Sequence, residues 1–248
     1  MNLEWLEGRN PVLEALVRQK RRVHRIWMDE RTGQGGKIAS ILAAAQAQGI
    51  PVERVSREWL DRKSRGEVHN GVMAEAEPHV RHTINTLLDE LYDRGEEPLL
   101  VLADEVVYEQ NLGAILRSSL GAGVKALVIP VSRGKGLSPV VSRIAMGGAE
   151  EVPVVREGIS SSLKRIRKDG IRVLGAHQEG RPYWEVDLTG PLALVLGGES
   201  KGLSSTLLSK CDEVVGIPLE GGLESLNVSV SAGILLFERI RQQRSREQ

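Results

Sequence analysis

Six short apolar runs, LLVLA, ALVIP, VPVV, IRVLGA, LALVLG and EVVGIPL, follow one another from residue 98 onward, separated by stretches with helical periodicity. Strands that are continuously apolar, instead of alternating, are buried on both faces, as in a parallel sheet lying between layers of crossover helices. Residues 98–248 are therefore expected to form an α/β domain with a mostly parallel sheet. The 248-residue chain has room for a second, smaller domain. Residues 1–78 supply its pattern. Asn10 and Pro11 read as the cap and first position of a helix running into VLEALV, VHRIWM as a strand, GKIASILAAAQAQG as a helix closed by Gly49, PVERVS as a strand, REWLDRK as a helical turn and GVMAEAE as a strand. Between them, residues 79–97 turn acidic and polar and read as a linker with one helix, TINTLLDELYDRG, carrying Leu87, Leu88 and Leu91 on one face.

Composition narrows the class. With 41% hydrophobic and 27% charged residues, a sizeable core can form, and neither a disordered nor a fibrous chain fits. The one cysteine, Cys211, excludes an internal disulfide framework and a cysteine-based zinc site, and suits a reducing compartment, by default the cytoplasm. The charged start MNLEWLEGRN and the lack of any run near 18 apolar residues set secretion and membrane spanning aside. A net charge of zero argues against a chain that coats nucleic acid, yet the basic residues cluster. RQKRRVHR groups Arg18, Lys20, Arg21, Arg22 and Arg25 with no acid between them, RKSR adds Arg62, Lys63 and Arg65, and Arg133, Lys135 and Arg143 lie around the glycine-rich loop after ALVIP. Such clusters suit phosphate contacts on RNA; the alternative is a solvated basic face. Aromatic residues, at 3%, are too few for extensive base stacking, so recognition of a folded RNA by shape and backbone fits better.

Three segments carry chemistry. In DEVVYEQNLGAILRSSLGAG a strand end leads through Asn111 into a helix containing Arg117; Asn111 could merely cap it and Arg117 be solvated, although Gly113 and Ala114 leave the helix start nearly bare. In LALVLGGESKGL an apolar strand runs into Gly197, Gly198 and Glu199, at the carboxyl strand end where α/β proteins bind ligands. It matches no common phosphate or dinucleotide loop, and the alternative is a tight turn with Glu199 complementing a helix dipole. In GIPLEGGLESLNVSVSAGILLFE a strand reaching Ile217 breaks into a glycine-rich loop, after which Ser225, Leu226 and Asn227 open an apolar helix. Leu226, Val230, Ile234 and Phe237 recur at helical spacing and are expected to form its buried face. Capping explains Ser225 or Asn227 singly. It does not explain three bare glycine turns, each at a strand end and each beside a polar side chain able to position a ligand.

NLGAILRS, LVLGGESKGL and IPLEGGLESLNVSVSAGILLFE together resemble the three motifs of the SpoU-type (TrmH) ribose 2′-O-methyltransferases of the SPOUT superfamily, over residues 98 to about 240. The first domain, ending in EVHNGVMAEAE, resembles the ribosomal-protein-like RNA-binding domain that precedes the catalytic domain in the branch methylating a guanosine of large-subunit (23S) ribosomal RNA. Two positions depart from the family pattern. Tyr108, Glu109 and Gln110 stand where an Asp-Pro is usual, and His69, Asn70 and Gly71 stand in place of His-Gln-Gly.

The resemblance implies a deep trefoil knot in the C-terminal domain and S-adenosylmethionine held largely by backbone groups near Gly197, Ile217 and Leu226. It also implies a site built from Asn111, Arg117, Glu199, Ser225 and Asn227, no metal, and a homodimer pairing through the helices at 111–122 and 226–240. Arg117 is then expected to clamp a substrate phosphate, because a guanidinium essentially never deprotonates, with Glu199 holding Arg117 or a neighbouring backbone. His24, His69 and His177 read as surface or structural residues. Other outcomes open to such a chain are methylation of transfer RNA, methylation of ribosomal RNA as protection against an antibiotic, and a ribosome-assembly factor without turnover.

Overall fold

The computed structural model describes residues 3–64, 68–132, 136–199 and 201–247. In chain order its first elements are β1 (Glu4–Glu7), α1 (Arg9–Arg18), β2 (Val23–Asp29), α2 (Lys37–Ala47), β3 (Val52–Val55), α3 (Arg57–Lys63), β4 (Val72–Ala76) and α4 (Ile84–Asp93). They are followed by β5 (Leu99–Ala103), α5 (Glu109–Gly121), β6 (Ala126–Ile129), α6 (Pro139–Ala145), α7 (Gly148–Glu151), β7 (Val154–Arg156), α8 (Ile159–Lys168), β8 (Arg172–Pro182), β9 (Leu192–Leu196), α9 (Ser205–Leu208), β10 (Glu213–Gly216) and α10 (Val228–Arg246). They pack into two units: residues 1–80 with 137–151, and residues 81–136 with 152–248.

The first unit is built on a four-stranded sheet of order β1-β4-β2-β3, in which only the β2–β3 pair is parallel. Leu16, Ile26, Met28, Ile38 and Ile41 lie in one fully buried cluster with residues of β4. A second cluster joins Trp27, Leu60 and Met73, where Trp5, Trp27 and Trp59 form a ring ladder with centroids 5.0 and 5.5 Å apart. A strand not expected from the sequence is β1, a four-residue edge strand whose pairing partner β4 lies some 70 residues away in the chain. The start of α1 also differs from expectation. Gly8 is the cap, and Asn10 sits inside the first turn with its side chain turned to Lys37 and Met146.

Arg21 corrects a further expectation. Its guanidinium is buried and bidentate on Glu150, with Nε 2.9 Å and Nη2 2.7 Å from the two carboxylate oxygens, while Nη1 donates to Glu4 at 2.8 Å and to the Glu77 carbonyl at 3.1 Å. It is a structural ion pair and is not at the surface to meet a phosphate. Neighbours in its cluster are also partly neutralised: Arg18 pairs with Glu14 and Glu151, Lys20 with Glu151, and Arg25 with Glu53. Acidic side chains distant in the sequence converge on a run that is free of acid in one dimension.

The second unit carries a six-stranded sheet, β10-β8-β9-β5-β6-β7, parallel in every pair. Each of the six apolar runs overlaps one of these strands, and β5, β6 and β9 are buried at every position. The amphipathic helix expected in a linker belongs to this core. As α4 it is capped by Thr83 and buries Ile84, Leu87, Leu88 and Leu91 in the cluster that holds Leu100, Leu102, Ala193 and Val195 of the sheet. In α10 the expected face is not the buried one. Val228, Ala232, Leu235 and Leu236 are buried, whereas Val230 and Phe237 are half exposed.

Because Arg21 and Glu150 are both buried and mutually satisfied, removing one partner leaves a buried charge uncompensated. Arg21→Ala is expected to lower unfolding stability by about 3–5 kcal/mol in denaturant titration. The joint change Arg21→Met with Glu150→Leu, which restores apolar packing, should lose clearly less.

Candidate active site

At the carboxyl ends of β8, β9 and β10 lies a cavity of about 590 Å³, within the second unit. Its shape comes from backbone passing close to backbone. A Cβ on Gly197, directly after β9, would fall 2.1 Å from the carbonyl carbon of Gly202 and 2.3 Å from the nitrogen of Leu203, so no larger residue fits there. A Cβ on Gly180 would likewise strike the Val215 and Gly216 backbone. Between these crossings β8 leaves the sheet. Val214 pairs with Gly175 but Val215 with Arg181, and the intervening excursion brings Ala176, His177 and Gln178 to the cavity wall. Leu196, Val215, Ile217, Leu226 and Leu235 supply apolar lining.

A chain of hydrogen bonds crosses the polar side. Glu199 accepts from the Asn111 side-chain amide at 3.0 Å and from the backbone N–H groups of Val107 and Tyr108 at 3.3 Å each. The Asn111 carbonyl oxygen in turn accepts from the Asn227 amide at 3.0 Å, and the Asn227 oxygen accepts from the Ser229 backbone N–H at 2.9 Å and its hydroxyl at 2.7 Å. Partial burial alone would raise the Glu199 carboxyl, but the hydrogen bonds from Asn111 and from backbone N–H groups outweigh it and hold it below its ordinary range. An ionised Glu199 only accepts, so Asn111 must turn its NH₂ to it and its oxygen to Asn227, and Asn227 its oxygen to the helix start. The carboxylate thus sets the polarity of the whole relay. Among the described residues, one N–H on each amide remains unspent.

Asn111, Glu199, Ser225, Asn227, Gly197, Ile217 and Leu226, brought together from three distant segments, all line this one cavity. Arg117 does not. It follows Asn111 by six positions on α5, about 240° around the helix, and is exposed with no hydrogen-bond or ion-pair partner among the described residues. Glu199 therefore holds the Val107 and Tyr108 backbone and Asn111, and not Arg117 as the first of the two expectations had it. Asn111 is no cap either, since Tyr108 takes that position; Asn227 caps α10 and serves the relay at once. His177, expected at the surface or in a structural role, lines the cavity, as do Tyr108 and Gln178, for which the sequence offered no periodic or motif signal. His69 is structural as expected, buried with Nε2 2.8 Å from Asp61 and Nδ1 accepting from the Gly71 N–H. Of the basic residues named from sequence, Arg22, Arg62 and Lys63 are exposed, and Arg65, Arg133 and Lys135 lie outside the described residues. A basic cavity of about 380 Å³ in the first unit, lined by Arg9, Lys37 and Arg143 without a carboxylate among the described lining residues, was not foreseen as a whole.

Comparison with known proteins bears on both units. The model of the SpoU rRNA Methylase family matches residues 98–237, and that described as RNA 2′-O ribose methyltransferase substrate binding matches residues 5–80. The chain is 33% identical over 241 residues to the 23S rRNA (guanosine-2′-O-)-methyltransferase RlmB of Escherichia coli K12, covering 96% of this chain and 98% of that protein. With the protein of that name from Pseudomonas putida KT2440 it shares 36% over 243 residues, 97% of each. Among solved structures it resembles the SpoU methyltransferase AviRb from Streptomyces viridochromogenes in complex with AdoMet, with a TM-score of 0.80 at 23% identity over 98% of this chain and 91% of that one. An RNA 2′-O ribose methyltransferase is similar with a TM-score of 0.76 at 25% identity, over 97% and 89%.

The depressed Glu199 value fixes a sign. The relay is complete above the ordinary carboxyl range and loosens only as pH falls through the lower folded value. The Asn111 side-chain amide resonances are expected to hold steady from about pH 8 to 5 and to shift only below roughly 4.3, the unperturbed carboxyl value. In Glu199→Gln that transition should be absent; a wild-type transition near neutrality would contradict an ionised Glu199.

Proposed function

The chain belongs to the SpoU rRNA methylase family, and from that premise we propose that it methylates the 2′-hydroxyl of a guanosine ribose in 23S ribosomal RNA, using S-adenosylmethionine. The observation that carries this reading is the convergence of three distant segments on one cavity whose polar wall is the Glu199–Asn111–Asn227 relay. The cavity is of ordinary ligand size, and its apolar lining beside bare glycine backbone suits a cofactor held mainly by main-chain groups at Gly197, Ile217 and Leu226. We read the close backbone crossings at Gly197 and Gly180 as parts of the trefoil knot.

When bound, S-adenosylmethionine supplies a methyl group on a sulfonium, open to in-line attack by a ribose oxygen. The chain's task is to place that oxygen, and positioning of this kind contributes on the order of 7–11 kcal/mol. The unspent N–H groups of Asn111 and Asn227 are donors, so they stabilise charge growing on the 2′-oxygen and cannot take its proton. The proton leaves to a substrate phosphate or to water. Ser225, exposed at the rim, is a further hydroxyl for the ribose or its phosphate.

Arg117 enters from a second copy of the chain. It lies one turn from Gly121, against which Phe237 packs, on a side of the molecule where Val230 and Phe237 are left half exposed. Pairing through this face covers the apolar side chains and offers Arg117 to the partner's cavity, where its guanidinium clamps a substrate phosphate. Arg22, Arg62, Lys63 and the basic cavity at Arg9, Lys37 and Arg143 form the proposed RNA footprint of the first unit, with Lys20 and Arg25 at its carboxylate-paired margin; buried Arg21 is left out. Among the described residues no helix is long and apolar enough to cross a membrane, and a ribosomal RNA substrate supports the reading that the reaction takes place in the cytoplasm.

The direct test is transfer of labelled methyl from S-adenosylmethionine to 23S ribosomal RNA, followed by mapping of ribose methylation. One modified guanosine is the expected result; transfer only to transfer RNA, or to none, would reject the reading. The paired arrangement has its own check. Arg117→Ala and Asn227→Ala should each lose at least about 100-fold in turnover, yet mixing the two and allowing subunits to exchange should restore activity, because one of the two sites is then complete. No recovery on mixing would place Arg117 in its own subunit's site.

A further inference from the structure

The chain has four Trp, three Tyr and one Phe. Trp27 stacks on Trp59 and meets Trp5 at a tilt, Tyr183 meets Trp184 edge-on, Tyr92 donates its hydroxyl to Asp169, and Phe237 lies against Gly121. Tyr108 is different. Among the described residues its ring has no ring partner and its hydroxyl no hydrogen bond, and at 63% it is the most exposed of the aromatic side chains. It nevertheless lines the cavity.

Its backbone is as constrained as its ring is unengaged. The Tyr108 N–H donates to Glu199 at 3.3 Å, and its carbonyl accepts from the N–H groups of Asn111 at 3.0 Å and Leu112 at 3.1 Å. The residue that sets the direction of the relay therefore also fixes the point from which this ring projects. Tyr108 is the cap of α5, three residues before Asn111, and both residues line the one cavity. In a nucleotide the base is carried on C1′, the carbon next to the one bearing the reacting hydroxyl. A ribose held at Asn111 and Asn227 thus has its base within reach of the Tyr108 ring.

We propose that Tyr108 is the platform on which the base of the target nucleotide stacks, making it a positioning residue for the ribose. The proposal rests on the ribose-methylation reading above. A flat ring with two rotatable bonds offers a base a large contact area at little entropic cost, and a purine covers more of it than a pyrimidine. The cofactor is not its partner, because the ring lies at the exposed rim whereas Gly197, Ile217 and Leu226 are buried or half-buried. One stacked base is also compatible with a chain too poor in aromatics to bind RNA by stacking along a strand.

The test compares Tyr108→Ala and Tyr108→Phe with the wild type on ribosomal RNA and on an RNA fragment whose target nucleotide lacks its base. Tyr108→Ala should lower kcat/KM for RNA between about 5- and 150-fold, the range of a lost base–aromatic stack. Tyr108→Phe should stay within about twofold, and S-adenosylmethionine affinity by calorimetry and the sedimentation coefficient should be unchanged in both. On the abasic fragment the wild type should lose a similar factor and Tyr108→Ala should lose nothing further, the signature of one shared interaction. The proposal is overturned if Tyr108→Ala keeps wild-type kcat/KM, if Tyr108→Phe is as impaired as Tyr108→Ala, if cofactor affinity or subunit pairing falls in parallel, or if the loss persists undiminished without the base. Wild-type protein with no turnover on RNA would overturn the underlying reading as well, whereas wild-type turnover with an unimpaired Tyr108→Ala rejects only the role of the ring.

Discussion

The close passage of main chain over main chain at Gly197 is the constraint on which the rest of the second unit depends. The turn after β9 lies so near Gly202 and Leu203 that even one methyl group has no room, and Gly180 meets Val215 and Gly216 in the same way. These approaches draw the ends of β8, β9 and β10 into a wall of backbone groups and leave a cavity between them. A ligand there meets fixed peptide dipoles instead of mobile side chains, so little order has to be created when it binds.

On that frame one charge organises the polar side. Glu199 accepts from two backbone N–H groups and one amide, and the chain of acceptors and donors running through Asn111 to Asn227 and Ser229 follows from its ionisation. The substrate side of the site consequently presents donors. This suits the proposed reaction, in which an oxygen gains negative character, and in that proposal two tasks are separate: the amides stabilise and orient, and proton acceptance falls to something outside the relay. The same carboxylate anchors the Tyr108 backbone, so the platform proposed for the base and the groups proposed for the ribose share one point of attachment.

The six strands of the second unit were legible because burial on both faces leaves an uninterrupted apolar signature, and the site turns because glycine pairs at strand ends are uncommon without a steric cause. Failures were of a different kind. Helix α10 carries two apolar stripes, one through Val228, Ala232 and Leu235 and another through Val230 and Phe237; periodicity detects both but does not say which meets the sheet. The basic run at residues 18–25 looked free of acid until Glu150 and Glu151 arrived from the far side of the sequence. Edge strand β1 is short and has meaning only beside β4.

The amino-acid sequence by itself determined the α/β class and the positions of the parallel strands, because local burial patterns are written along the chain; it singled out Asn111, Glu199, Ser225 and Asn227 as a set only through the resemblance of its three motifs to a known family. Tertiary structure alone decided that Glu199 binds Asn111 and not Arg117, that Arg21 is an internal ion pair, and that Tyr108, His177 and Gln178 stand at the cavity. These depend on which distant segments come within a few ångströms of one another. Hydrogen bonds and ion pairs form only at such range, and one-dimensional spacing carries no record of it.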